Sequence, residues 1–248
     1  MPFEISDNED ELLESFESAW DAGETPDVFR FAERCPRESF GATVAELIQI
    51  DLERRWKSAN AELKRELSKY LEVLPPGFTN DELLELVCWE YRIRNQWGDC
   101  ISRKQVWQSH AYLGSSLIDR IDSLSKTMDW PSVAILINGQ TILEVELDRD
   151  IEAGRQKSME QMPWSLSSSP FVHRIILSEA GDPTLSRNQL AISRSSPGSV
   201  LVQNKSSNRA IALRGQGAID SGESLVCQLP VFVHLGANRY LRICNSAD

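Results

Sequence analysis

The chain has 248 residues, 41% of them hydrophobic, which suits ordinary globular cores in one large domain or two small ones. Its formal net charge of −11 is uneven: residues 1–130 hold 15 basic and 26 acidic side chains, and the remainder holds eleven of each. An acidic first half argues against nucleic acid, no stretch approaches the roughly 18 apolar residues of a membrane span, and the acidic opening MPFEISDNEDELLE is unlike a signal peptide.

Five scattered cysteines (Cys35, Cys88, Cys100, Cys227 and Cys244) are odd in number and form no Cys-x-x-Cys. They read as reduced thiols of a cytoplasmic protein.

The first half reads as paired helices. In DELLESFESAW, Leu12, Leu13, Phe16, Ala19 and Trp20 share one helical stripe, and Gly23 ends it. Thr25-Pro26 predicts the start of a short second helix, with proline at its first position and Cys35-Pro36 closing it. A long helix follows over VAELIQIDLERRW, with Val44, Leu47, Ile48, Leu52 and Trp56 inward. Ala61 to Leu74 reads as another helix, stopped by Pro75-Pro76-Gly77. Thr79 and Glu82 have capping-box spacing, which starts a helix running to Trp97-Gly98. Ser102 and Gln105 repeat that spacing ahead of Val106, Trp107, Tyr112 and Leu113. A last helix covers Ser115 to Lys126.

The sequence repeats loosely: Asp10-Glu-Leu-Leu-Glu14 returns as Asp81-Glu-Leu-Leu-Glu85. This predicts stacked antiparallel helix pairs. The tryptophans Trp20, Trp56, Trp89, Trp97 and Trp107 read as core or helix-pair contacts. With its Glu/Tyr/Arg-rich helix and its short helix ending in proline, this half resembles a helical accessory region of bacterial multidomain Ser/Thr kinases. The resemblance implies an adaptor role.

From about Pro131 the period changes. Val133–Ile137 is a short apolar run, Asn138-Gly139 is the strongest two-residue hairpin signal, and Thr141–Leu147 alternates. Further strands are predicted at Phe171–Leu177, Gln189–Ser193, Val200–Asn204, Ala210–Leu213, Leu225–Leu229, Val231–Leu235 and Tyr240–Cys244. Many short strands without intervening helices predict a β-sandwich. Pattern alone leaves an OB-type barrel and an immunoglobulin-like sandwich open.

The stretch Asp182–Leu213 narrows this. Its turns read Ser186-Arg187-Asn188-Gln189 and Ser206-Ser207-Asn208-Arg209. They resemble the Ser-Arg-x-His and Ser-x-Asn-Gly turns of forkhead-associated (FHA) domains, over about residues 131–245. The resemblance implies an α+β multidomain chain, with a helical-pair adaptor domain at 1–128 and an all-β FHA-type sandwich at 131–248. It also implies a reader of phosphothreonine peptides and no enzyme.

Phosphothreonine carries nearly two negative charges and three acceptor oxygens, and the planar arginine fork suits it. By the resemblance, Arg155 of Gly154-Arg155 would brace the binding loop or contact phosphate. Ser186 would donate its hydroxyl, Arg187 would add charge, Ser207 would support the pocket, and Asn208 would hold the peptide backbone. The partner would be a phosphothreonine-containing protein, a Ser/Thr kinase or its substrate.

The sequence departs from the family in three places. Gln189 stands for histidine, whose place is to brace the loop, and glutamine can still donate and accept. Arg209 stands for glycine; a positive φ there would cost arginine about 1 kcal/mol or more, otherwise the turn takes another shape. Residues 156–170 read as an insertion with Met159, Met162 and Trp164, placed to cover the site or dock a partner, and Ser167–Ser169 read as loop filler.

The rival reading is a degenerate FHA fold used as a phosphorylation-independent scaffold. Along the sequence there is no Ser-His-Asp constellation, phosphate-binding glycine loop or metal-ligand cluster, so no catalysis, metal or cofactor is expected. His173 and His234 lie in strand patterns and read as packed or surface residues.

Overall fold

The computed structural model describes residues 9–35, 39–158, 160–236 and 238–245. Pro36 and Met159, both used above, lie outside them. The chain forms two compact units. One takes residues up to Gly98 together with His110–Ile121, the other Asp99–Ser109 together with Asp122 onward.

The helices are α1 (Glu9–Asp21), α2 (Val28–Ala32), α3 (Phe40–Lys57), α4 (Ser68–Leu71), α5 (Asn80–Trp97), α6 (Arg103–His110) and α7 (Ser115–Ser125). In the first unit the expected stripe of α3 is inward: Val44, Leu47, Ile48, Leu52 and Trp56 are all buried. The capping box ahead of α5 forms, with Thr79 N–H donating to Glu82 Oε2 at 2.6 Å and Glu82 N–H to Thr79 Oγ1 at 3.2 Å. Its counterpart before α6 also forms, through Ser102 and Gln105.

Three helix expectations need correction. α2 starts after Asp27, not at Thr25-Pro26, because the Asp27 carboxylate accepts from Phe29 N–H and Arg30 N–H. The single helix over 61–74 is broken into a 3-10 turn (Ala61–Leu63) and α4. There the backbone is claimed by side chains of neighbouring helices. Trp56 Nε1 donates to Arg65 O at 3.0 Å, Arg55 Nη1 to Leu63 O at 3.3 Å, and Leu67 N–H donates to the buried Glu90 carboxylate at 2.8 Å. Thirdly, α6 stops at His110, so Tyr112 falls in a 3-10 turn and is 60% exposed.

The second unit carries the strands: β1 (Ser132–Ile137), β2 (Gln140–Glu146), β3 (Asp150–Arg155), β4 (Leu166–Ser168), β5 (Val172–Ser178), β6 (Leu190–Ser196), β7 (Ser199–Asn204), β8 (Ile211–Leu213), β9 (Gly217–Ile219), β10 (Ser224–Gln228), β11 (Val231–His234) and β12 (Arg239–Cys244). They make two six-stranded sheets, ordered β2-β1-β12-β11-β8-β9 and β10-β7-β6-β3-β5-β4. Helices at the N-terminal end and an all-β sandwich after them are the predicted order. Asn138 and Gly139 have φ of 50° and 82°, which is the left-handed pair that a two-residue hairpin between β1 and β2 requires. Inward residues of both sheets, including Val133, Ile135, Ile151, Ile175, Leu190, Ile192, Val202, Val233 and Leu241, form one core.

The strand list lacked β3, β4 and β9. In β3 the buried Ile151 and Ala153 do alternate with the half-buried Asp150 and Glu152, but the pattern is short and built largely from Asp, Glu, Ala and Gly, all poor strand formers. This strand is central, antiparallel to β6 and parallel to β5. β4 corrects the reading of Ser167–Ser169 as filler: Ser167 and Ser168 pair with Arg174 and His173 on β5.

Residues 99–109 are tied to the sheets by charge. Arg103 is buried, with Nε donating to Asp148 O at 3.1 Å, Nη2 to Asp148 Oδ2 at 2.7 Å, and Nη1 paired with Asp122. Arg149 joins the same carboxylates and donates to Ser169 O at 2.6 Å. His173 completes the cluster, its Nε2 2.6 Å from Asp148 Oδ1 and its Nδ1 2.7 Å from Ser168 Oγ. Ser168, His173 and Asp148 therefore do stand in a hydrogen-bonded row, which corrects the sequence reading. Its carboxylate is shared with two arginines, so the row is part of the ion network. Burial would raise the Asp148 pKa, but the His173 bond and the Arg103 charge hold it below the ordinary value.

Candidate functional site

The candidate turns lie at one end of the second sheet, and local backbone packing sets them there. Gly154, near the end of β3, runs directly under the Ser186–Arg187 turn: a Cβ there would sit inside the contact distance of the Arg187 carbonyl. Only glycine allows that approach. Two backbone bonds secure it, Arg155 N–H to Ser186 O at 2.9 Å and Gln189 N–H to Ala153 O at 2.8 Å.

Gln189 is buried, and its Oε1 accepts the Ser186 N–H at 2.9 Å. The Gln189 side chain therefore braces this turn from inside. Its carbonyl also receives Lys205 N–H at 3.0 Å, which links the first turn to the second.

The second turn hangs on Asn204, the wholly buried last residue of β7. Its Nδ2 donates to Arg209 O at 2.6 Å and to Ile219 O at 3.0 Å, and its Oδ1 accepts Ser206 N–H at 3.0 Å. These bonds satisfy a buried amide that would otherwise be costly. The turns meet where Ser186 Oγ donates to Ser206 Oγ at 3.2 Å.

Of the residues named from sequence, Ser186, Arg187 and Asn208 come together on these joined turns. Ser186 is half-buried, whereas Arg187 and Asn208 are exposed. The Asn208 N–H points to Ser206 Oγ at 3.5 Å. Ser207 is exposed, and its neighbour Ser206 is the buried serine that faces Ser186. Arg155 is half-buried and its guanidinium donates to Ala180 O, in the loop between β5 and β6. Arg209 is not among the residues with positive φ, so the turn has taken another shape, and its Nη1 donates to Thr184 O at 2.9 Å.

The loop between β5 and β6 has its own clamp. Asp182 accepts from Thr184 N–H at 2.8 Å, from Thr184 Oγ1 at 2.5 Å and from Arg239 Nη1 at 3.0 Å. Burial would raise its pKa, but these bonds outweigh that and lower it to about 2.

Sequence reading missed Asn204, Ser206, Arg174 and Arg239. Two left a signal: Ser206 opens the Ser-x-Asn pattern, and Arg174 is a lone charge in the apolar run VHRIIL. Arg239 left none, because its partners lie 55 and 57 residues away, and Asn204 left none, because its burial and its bond to Ile219 O are set by the sheets. Chemically, the joined turns offer a hydroxyl, an exposed guanidinium and an exposed carboxamide, a donor set suited to a phosphate ester beside a peptide backbone. Among the described residues no group of three or more His, Cys, Asp or Glu side chains could hold a metal ion, and no helix is long and apolar enough to cross a membrane.

No protein-family model matches the chain, and no curated protein matches it. Solved structures similar to part of it include the following two. The crystal structure of the FHA domain of the CT664 protein from Chlamydia trachomatis is 17% identical, covering 46% of this chain and 96% of that one with a TM-score of 0.33. An engineered FHA with Myc-pTBD peptide is 12% identical, covering 48% of this chain and 92% of that one with a TM-score of 0.34.

Proposed function

We propose that the chain is a signalling adaptor that binds phosphothreonine peptides, downstream of a Ser/Thr kinase in the cytoplasm. Residues 131–248 would be the reader and residues 1–128 the adaptor part. One observation carries this reading: the Ser186–Ser206 hydroxyl contact joins two turns that leave Arg187 and Asn208 exposed. In the bound state the Ser186 hydroxyl would turn from Ser206 to a phosphate oxygen, and Arg187 would add charge. Asn208 would bond the peptide backbone. Ser207 would supply an outer hydroxyl, and Arg155 would brace the loop through Ala180.

The scaffold reading has one observation in its favour. Arg155 and Arg209, two cations near the turns, each donate to a carbonyl of the β5–β6 loop. The test is binding of the purified chain to degenerate phosphothreonine, phosphoserine and unphosphorylated peptide libraries. Selective binding to phosphothreonine, lost in Ser186→Ala and in Arg187→Ala, is expected. Equal binding to all three libraries by folded protein would replace the reader with the scaffold.

A further inference from the structure

We infer that Arg174, which belongs to neither turn motif, is the positioning residue of the candidate site: its guanidinium sets where the Ser186–Arg187 turn lies. The link to peptide selectivity rests on the phosphopeptide reading; the positioning itself does not.

Arg174 lies within β5, followed in the strand by the core residues Ile175 and Leu177, and is only 8% exposed. Burying a guanidinium is far costlier than burying a methionine of similar length unless its N–H groups find acceptors. Here Nε and Nη2 find three, while the buried Nη1 makes no hydrogen bond among the described residues. Nε meets Glu160 Oε1 at 3.1 Å, and Nη2 donates to Arg155 O at 2.9 Å and to Arg187 O at 2.7 Å. The two carbonyls belong to separate segments, the end of β3 and the first candidate turn. One rigid donor thus holds both at a fixed spacing, which a flexible or apolar side chain cannot do.

The Arg187 carbonyl is the shared point. Gly154 lets β3 approach it closely, and Arg174 Nη2 bonds it. Orienting that carbonyl orients the peptide plane after Arg187, and with it the direction in which the Arg187 side chain leaves the turn.

This also gives the apparent insertion a task. Lys157 N–H donates to Glu160 Oε2 at 2.6 Å, and Gln156 Nε2 donates to the carbonyls of Glu160 and Gln161 at 3.1 and 2.9 Å. The segment after β3 is thereby wound so that Glu160 reaches Arg174. The carboxylate supplies the opposite charge and aligns the guanidinium plane with the two carbonyls.

The experiment compares the wild-type chain with Arg174→Met and Arg174→Lys. Two readouts are taken: amide exchange by NMR, and affinity for the degenerate phosphothreonine library against its unphosphorylated counterpart. In Arg174→Met the Arg155 and Gln189 amides, which staple the turn to β3, should exchange faster while those of β1 and β12 keep their rates. The phosphorylated-to-plain affinity ratio should fall about 10- to 100-fold, as for loss of a charge-assisted hydrogen bond. Arg174→Lys, with one cationic donor left, should recover part of both. A merely stabilising residue would instead speed exchange in both sheets and weaken both libraries alike, which would overturn the inference. Unchanged exchange at Arg155 and Gln189 would also overturn it. Should Arg174→Met fail to fold, Arg174→Lys decides by the same amides. A wild-type chain that does not discriminate between the libraries would remove the phosphopeptide reading, and the amide rates would still judge the positioning.

Discussion

Replacing Arg103 with methionine keeps most of the side-chain stem and removes the charge that ties residues 99–109 to the sheets. The Arg103 side chain is 3% exposed and that of Asp148 is 15% exposed. Removing one partner of such a buried pair typically costs about 3–5 kcal/mol. Asp148 is not orphaned, because His173 at 2.6 Å and Arg149 at 3.3 Å remain. The Asp122 side chain is 36% exposed, so water replaces Arg103 there at about 0–1 kcal/mol. Against these reductions, the Asp148 carbonyl loses the Nε donor, worth about 1 kcal/mol. The expected net loss is about 2–4 kcal/mol, confined to the second unit. Because the chain has two compact units, a single unfolding curve would mix them. The assay is therefore native-state amide exchange in β3 and β5, which reports the stability of the second unit directly. Asp122→Asn serves as the control and should cost under about 1 kcal/mol. An Arg103→Met chain within about 0.5 kcal/mol of wild type, the size of an ordinary surface substitution, would refute the reasoning.

Gln189→Ala removes the acceptor of the Ser186 N–H and should weaken phosphothreonine-library binding about tenfold, read by fluorescence titration, because a buried donor is left without its partner. Gly154→Ala should cost about 3 kcal/mol or more, or prevent folding of the second unit, since the clash is with backbone rather than a flexible side chain; native-state amide exchange in β3 and β5 would read it. Asn204→Ala leaves two carbonyls and an N–H without their side-chain partner and should cost about 2–4 kcal/mol, read as faster exchange at Ser206. Asp182, lowered to about 2 from 3.8, contributes stability above the higher value that is lost as pH falls toward the lower. In Arg239→Ala the Asp182 carboxyl, followed by carbon-13 NMR, should titrate closer to 3.8, and an unmoved titration would remove Arg239 from that clamp.

The legible parts of this molecule are those whose causes are local. Thr79 and Glu82 announce the start of α5 because both bonds of the capping box lie within three residues. Asn138-Gly139 announces the first hairpin because positive φ is a property of the residues themselves. Ser186, Arg187 and Asn208 were named from a turn pattern, and the two turns of that pattern do meet, at Ser186 and Ser206. Ser207, named from the same pattern, faces outward while its neighbour Ser206 makes the inward contact, which spacing within a turn does not reveal. The break in 61–74 left no local mark, because Glu90, 23 residues on, captures the Leu67 N–H.

Sequence by itself determined the order of the two architectures, helices before strands, and the residues that make the turns. Apolar periodicity and turn chemistry report the burial and backbone state of each position, and neither needs a partner. Only the tertiary structure decided that β3 lies between β5 and β6, that Gln189 braces Ser186 and that Asn204 carries the second turn. It alone brought Ser168, His173 and Asp148 into one row, and Arg174 against two distant carbonyls. Each of these is a polar or backbone group whose free energy depends on a partner chosen by the fold, and the residue alone does not name that partner.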